Sequence, residues 1–315
     1  MADIVFGSGI TITGGISVTP PPPNIRAIFG YGSIYGGSSG KVSMTNIVSN
    51  TGVVATDTTG VGTARAGLAA ASYGGDKAIF GYGFAADIVT TTNLVSNAGV
   101  VATDTAGAGT YGYALAAAGY GSDKAIFGFG LRPGATSVTN LVSNTGTVAT
   151  DTAGVGTARD SLAATTYGTD KAIFGYGENS LGTLVSMTNK VSNTGVVATD
   201  TSGVGTARFS LAAAGYGSSG QAIFGYGYTT LGVSMTNLIS NTGVVASDTT
   251  GVGTARFTLA AAGYGGDKAI FGYGLVGTST RVSMTNLVSN TGVVANDVTG
   301  VGTARGELAA ATFGS

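Results

Sequence analysis

Residues 74–84, GGDKAIFGYGF, are the stretch that decides the fold. Its core, AIFGYG or AIFGFG, occurs six times, centred on Phe29, Phe80, Phe127, Phe174, Phe224 and Phe271, at intervals of 51, 47, 47, 50 and 47 residues. A period near 48 marks a repeat architecture whose single unit is too small to bury a core alone. Alternation along residues 27–32 predicts a strand with Ala27, Phe29 and Tyr31 on one face and Ile28, Gly30 and Gly32 on the other. Glycine opposite aromatic rings suits face-to-face stacking, each sheet's rings lying on the flat glycine surface of its neighbour.

Outward from that core, the first full copy continues with SMTNIVSN (43–50), a tight turn at Thr51-Gly52 and a return strand VVATDTTGV (53–61). The connection GTAR leads into LAAASYG (68–74), a strand of very small residues, and Gly-Gly-Asp-Lys turns the chain into the next AIFGYG. Four short antiparallel strands per repeat describe a propeller blade, with the Ala-rich strand innermost because only small side chains fit where all blades converge. The repeat begins at residue 26 without an Ala-rich strand before it and ends on LAAATF (308–313) with no AIFGYG after it. Each end supplies what the other lacks. The expectation is an all-β chain: a six-bladed β-propeller of four-stranded antiparallel blades over 24–315, closed by pairing of the N- and C-terminal strands.

Residues 1–23 lie outside the repeat. Alternating IVF and ITITGGISV, followed by four prolines at 20–23, suggest a short N-terminal docking arm on a stiff spacer, with Ile4, Val5, Phe6, Ile10, Ile12 and Ile16 as its anchoring residues. Such an arm has no core of its own and is expected to dock by adding a strand to another subunit.

Composition removes several classes of chemistry. The chain has no Cys, His or Trp, which excludes disulfides, Cys/His zinc sites, cysteine nucleophiles and histidine-based triads. Net charge is −1 with only 29 charged residues among 315, so no basic surface points to nucleic acid. No apolar run approaches 18 residues and no signal peptide is evident, so neither membrane insertion nor secretion is expected. No metal and no cofactor is expected.

Asp57, Asp104, Asp151, Asp200, Asp248 and Asp297 recur at one position in all six copies, and Arg65, Arg159, Arg208, Arg256 and Arg305 at one position in five, with Gly112 in the remaining copy. A residue needed in every copy serves the copy itself, through turn hydrogen bonds or Asp–Arg pairing. Outside these positions the scattered acids include Asp87, Asp160, Glu178 and Glu307, and no two share one variable loop, so the paired carboxylates of a glycosidase are not evident. The informative residues are those that differ between copies. They fall in the loop after AIFGYG (33–42, 84–89, 131–136, 178–185, 228–233, 275–282) and in the two residues after the Arg position, two connections expected on the same face. The candidate ligand-binding residues there are Tyr35, Asp87, Tyr113, Arg132, Glu178, Phe209, Tyr228, Phe257 and Arg281.

With a Gly-Tyr-Gly where paired glycines are expected and an arginine before the innermost strand, residues 24–315 resemble kelch-type propeller repeats, although the tryptophan of the outer strand is missing. Together with the arm, the chain resembles tail-fibre or baseplate-associated proteins of tailed bacteriophages. That resemblance implies a non-enzymatic virion protein in an oligomeric assembly, its arm docked on other virion subunits and its propeller turned toward a host-surface glycan or protein. A secreted or cell-surface lectin-like module and a polysaccharide-degrading enzyme are the alternatives.

Overall fold

The segment KAIFG, with Arg26 or Gln221 replacing its lysine in two copies, forms the middle strand of six three-stranded antiparallel sheets. The structure, a computed structural model, describes residues 24–36, 39–110 and 112–315 and the backbone of 4–5 and 11–12. Sheet 1 consists of Ala309–Phe313, Arg26–Gly30 and Thr45–Val48; sheet 2 of Ala69–Tyr73, Lys77–Gly81 and Thr92–Val95; sheet 3 of Ala116–Tyr120, Lys124–Gly128 and Thr139–Val142. Sheet 4 consists of Ala163–Tyr167, Lys171–Gly175 and Thr188–Val191; sheet 5 of Ala212–Tyr216, Gln221–Gly225 and Thr236–Ile239; sheet 6 of Ala260–Tyr264, Lys268–Gly272 and Thr285–Val288. No helix occurs among the described residues. The chain ends meet as the sequence implies: Ala309–Phe313 pairs with Arg26–Gly30, in register from Ala309↔Gly30 to Phe313↔Arg26.

Each middle strand is buried on both faces, because each sheet is packed between two others. The tightest contact sets a Phe ring against the strand-ending glycine of the preceding sheet. A Cβ at Gly81 would stand 2.7 Å from the Phe127 ring, and one at Gly30 2.6 Å from Phe80. The same contact joins Gly128 to Phe174, Gly175 to Phe224, Gly225 to Phe271 and Gly272 to Phe29, the last returning to sheet 1. The Ala-rich strands of all six sheets line one narrow cavity of about 150 Å³, bordered by Ala71, Ala118, Thr165, Ala214, Ala262 and Ala311. Their small side chains let six backbones converge there.

Two circles of backbone hydrogen bonds join the sheets. On one side the N–H of Gly67 donates to Glu307, Ala114 to Gly67, Ser161 to Ala114, Ser210 to Ser161, Thr258 to Ser210 and Glu307 to Thr258. On the other side Gly74 donates to Asp123, Gly121 to Asp170, Gly168 to Gly220, Gly217 to Asp267, Gly265 to Ile25 and Gly314 to Asp76.

Two details depart from the sequence reading. Tyr31 does not share a face with Phe29. Its φ of 62° is left-handed, and its ring turns onto the Ile28 side to meet Phe80 at 5.1 Å, whereas Phe29 meets Tyr273. The equivalent aromatic is left-handed in every copy, a conformation costing about 1 kcal/mol or more in a side-chain-bearing residue. Burial of the ring and a hydrogen bond from Tyr31 Oη to the Val61 carbonyl, 3.0 Å, hold it there.

The expected fourth strand, 53–61, is not a continuous strand. It touches the third strand at two isolated bridges, Val48↔Val54 and Thr45↔Thr58. Four steps of chain oppose three, so an extra residue interrupts the ladder, as in a β-bulge. The buried Asn46 amide fills the gap, donating to the Ala55 carbonyl at 3.0 Å and to Asp57 Oδ1 at 2.9 Å. The arm and its anchoring residues lie outside the described residues, except that Ile4–Val5 pairs antiparallel with Thr11–Ile12.

Gly81→Val therefore forces a branched side chain into the Phe127 ring and should destabilise by about 1–3 kcal/mol. Asp87→Asn, on an exposed loop, should stay within about 0.5 kcal/mol of the parent protein. Urea midpoints compare the two, and equal effects would refute the ring-on-glycine contact as a packing constraint.

Candidate functional site

The recurring charges are structural, and their geometry explains what the remaining face is free to do. Each Asp accepts from the connection that enters its own sheet: Thr303 Oγ1 reaches Asp57 Oδ2 at 2.6 Å and the Thr303 N–H reaches Oδ2 at 2.9 Å. Each recurrent Arg is completely buried under that connection. Arg305 donates to the Tyr31 carbonyl (2.8 Å), the Thr303 carbonyl (3.1 Å) and Asn46 Oδ1 (2.7 Å), with its guanidinium 4.3 Å from the centre of the Tyr273 ring. A charge without water is tolerable only with such a full set of acceptors. Burial pushes the Arg159 guanidinium down to about 10, against the opposing pull of Asp200. For the six aspartates burial acts upward, but hydrogen bonds from the connection's threonine and the buried asparagine outweigh it, and each carboxyl sits below its ordinary value.

The loops that vary between copies and the residues that follow the Arg position do emerge together. They bridge one another at Ser33↔Gly306, Ala66↔Phe84, Tyr113↔Leu131, Phe209↔Tyr228 and Phe257↔Leu275, and as the strand pair Arg159–Asp160 with Glu178–Asn179. Three of the candidate aromatics form a row: Phe209 to Tyr228 at 5.5 Å and Tyr228 to Phe257 at 4.8 Å, both edge-on. Tyr113 meets Phe84 at 6.0 Å, and the Lys41 ammonium lies 3.9 Å from the centre of the Phe84 ring. Tyr35 is 63% exposed and stands apart, as does Asp87. Arg281 spends its Nε–H on the Ser33 carbonyl, at 2.8 Å.

Arg132 is turned inward, 8% exposed, and is not presented to a ligand. Its guanidinium donates to Asp151 Oδ1 at 3.0 Å and to Asn140 Oδ1 at 2.9 Å, the asparagine and aspartate that a recurrent arginine serves in other copies. In this copy that arginine position is Gly112, and a Cβ there would stand 3.3 Å from Arg132 Cγ. A loop residue has replaced a missing framework residue, a substitution invisible to repeat alignment because it comes from elsewhere in the copy.

Asp160 and Glu178, which sequence reasoning separates, are directly paired across two strands. Asp160 is 9% exposed and accepts from Ser161 Oγ at 2.8 Å; burial raises its carboxyl, with Glu178 adding to the rise. Among the described residues no three His, Cys, Asp or Glu side chains gather as a metal site.

A feature the sequence reading missed lies between the loops. A funnel of about 330 Å³ opens there, lined by one leucine from each copy: Leu68, Leu115, Leu162, Leu211, Leu259 and Leu308. The circle of hydrogen-bonded residues from Gly67 to Glu307 lines it too, with Phe84, Tyr113 and Leu131 on one side. The signal was the Leu before every Ala-rich strand; being constant, it reads as core, and at 5–6% exposure each leucine is nearly so. No family model and no curated protein matches the chain.

Removing the Arg132 guanidinium strands Asn140 and Asp151. Arg132→Ala should cost about 2–3 kcal/mol in urea unfolding. Adding Gly112→Arg should restore most of that loss, and no recovery would show that the two arginine positions are not interchangeable.

The six lowered aspartates contribute stability that is complete above the ordinary value of about 4 and lost as pH falls below it. Asp160 acts oppositely: its raised carboxyl removes stability as pH climbs above that value. Thermal melts should thus drop steeply below about pH 4, while Asp160→Asn should raise the melting temperature at pH 7 and leave it nearly unchanged at pH 3.

Proposed function

We propose that the six sheets are the blades of a kelch-like six-bladed β-propeller, closed where residues 309–313 pair with residues 26–30, and that the molecule is a recognition protein rather than an enzyme. The observation that carries this reading is the confinement of variation. Framework residues repeat from copy to copy, while the residues that differ meet on the single face that also holds the funnel and the aromatic rows. A rigid scaffold with one individual face is the usual design of a binding surface. The resemblance to bacteriophage tail-fibre and baseplate-associated proteins sets the task as attachment: residues 1–23 join the module to other virion subunits, and the loop face meets a host-surface glycan or protein.

A hydrolytic role has one observation in its favour, the Asp160–Glu178 pair. Asp160 is nearly closed off by its neighbours, which leaves Glu178 as the more open carboxylate of the two.

Attachment predicts a face-specific loss. Tyr35→Ala combined with Tyr113→Ala should weaken binding of labelled protein to host cells by about tenfold or more, since aromatic rings commonly anchor interfaces. Val53→Thr with Val293→Thr, two exposed residues beside the turns of the opposite face, should leave binding intact. Equal binding by both variants, with melting temperatures unchanged, would sink the assignment of the loop face.

A further inference from the structure

The funnel combines three features. Its floor is apolar, the six leucines lying at the loop ends of the Ala-rich strands. Its wall carries aromatic rings on one side only, Phe84 and Tyr113. Among the described residues that line the funnel, Glu307 is the one that bears a charge at neutral pH. The circle of hydrogen-bonded residues reads Gly67, Ala114, Ser161, Ser210, Thr258 and Glu307, so five copies place a neutral residue where the sixth places a carboxylate. Glu307 is exposed, and its side chain forms no hydrogen bond or ion pair among the described residues. Its backbone is fixed at both ends, the N–H donating to Thr258 and the carbonyl accepting from Gly67, so the carboxylate rises from a rigid circle rather than a loop. Glu307 and Phe84 are neighbours around the mouth, because Gly67 follows Glu307 in the circle and Ala66 bridges Phe84.

An open carboxylate beside aromatic rings above an apolar floor is the chemistry of a cation with a greasy body. We propose that the funnel binds an alkylammonium group, its chain on the leucines and its charge between the Glu307 carboxylate and the Tyr113 ring. Acids outnumber bases on this face, which favours a cation. The acids are Asp87, Asp160, Glu178 and Glu307, against Lys41 and Arg281, Arg132 being used internally with Asp151. Lys41 competes for one of the two rings. It sits over Phe84 and donates to the Ala85 carbonyl, which leaves Tyr113 as the ring for the ligand. A sugar is the poorer fit here, because its hydroxyls would find side-chain partners only around the mouth, among them Ser161, Ser210, Thr258 and Glu307, and none on the six leucines of the floor. The volume, about 330 Å³, suits a small ligand or one long side chain.

This inference rests on the loop face being the recognition face. The shared chemistry has two sources, a free amine or a lysine side chain of a partner protein. The purified full chain is titrated calorimetrically with n-hexylammonium, with 1-hexanol, and with the peptide Gly-Gly-Lys-Leu-Gly-Gly. The amine should bind about tenfold more tightly than the alcohol, and Glu307→Gln should erase most of that difference while leaving the alcohol unaffected. Tighter binding of the peptide than of hexylammonium assigns the source to a protein side chain, and weaker binding to a free amine. Equal affinity of amine and alcohol, no binding of either, or an unchanged preference in Glu307→Gln would overturn the proposal. Host-cell attachment through the loop face does not require the Glu307 carboxylate and would survive any of those results, so the two readings fail separately.

Discussion

The contact between a phenylalanine ring and the bare backbone of the glycine in the preceding sheet is what the rest of this structure depends on. It sets the spacing between neighbouring sheets, since a Cβ at Gly30 or Gly81 would come within 2.7 Å of a ring. That spacing in turn defines the slot in which the recurrent arginine lies flat on a tyrosine or phenylalanine, about 4.3–4.4 Å from its centre. The arginine holds down the connecting segment, and that segment delivers its threonine to the aspartate of the outer bulge. A chain of fixed parts therefore runs from the glycine outward. Ring burial supplies most of the stabilisation, and the polar groups chiefly remove the penalty of closing so much backbone away from water.

This ordering explains why much of the fold could be read from residue patterns. The repeat, the three regular strands, their antiparallel order and the pairing of the chain ends follow from spacing and from which segments are missing at each end. What escaped reading was local. Tyr31 follows strand alternation on paper but sits in a left-handed conformation that alternation cannot reveal, and its ring changes sides. The outer segment has the composition of a strand, and only the extra residue between Val54 and Thr58 breaks it. Both departures are backbone choices tied to residues distant in sequence or in the next strand: Tyr31 turns to meet Phe80 of the neighbouring sheet, and the bulge is filled by Asn46 of its own.

The candidate site was less legible, for a different reason. Comparing copies finds residues that differ, but difference alone does not say whether a side chain points out or in. Arg132 differs because it repairs the loss at Gly112, while Tyr35 differs and stays open to solvent. Asp160 and Glu178 are well apart in sequence and meet only because a short strand pair forms beyond the main sheets. The leucine floor was hidden by its own regularity, since a constant residue is filed with the core even where six copies of it together surround a space.

The two circles of backbone hydrogen bonds carry a consequence for mechanics. On the loop side every N–H points to the preceding sheet, and on the turn side every N–H points to the following one. Each sheet is thus tied to both of its neighbours at the loop side and again at the turn side, so sliding of one sheet past the next is resisted at both ends. Nor can one sheet peel away as a terminal unit does in an open array, because sheet 1 is bonded on both sides and contains both chain ends. Loss of order should then be abrupt, with the sheets leaving together. A surface built on such a frame keeps its shape under load, whatever its loops meet.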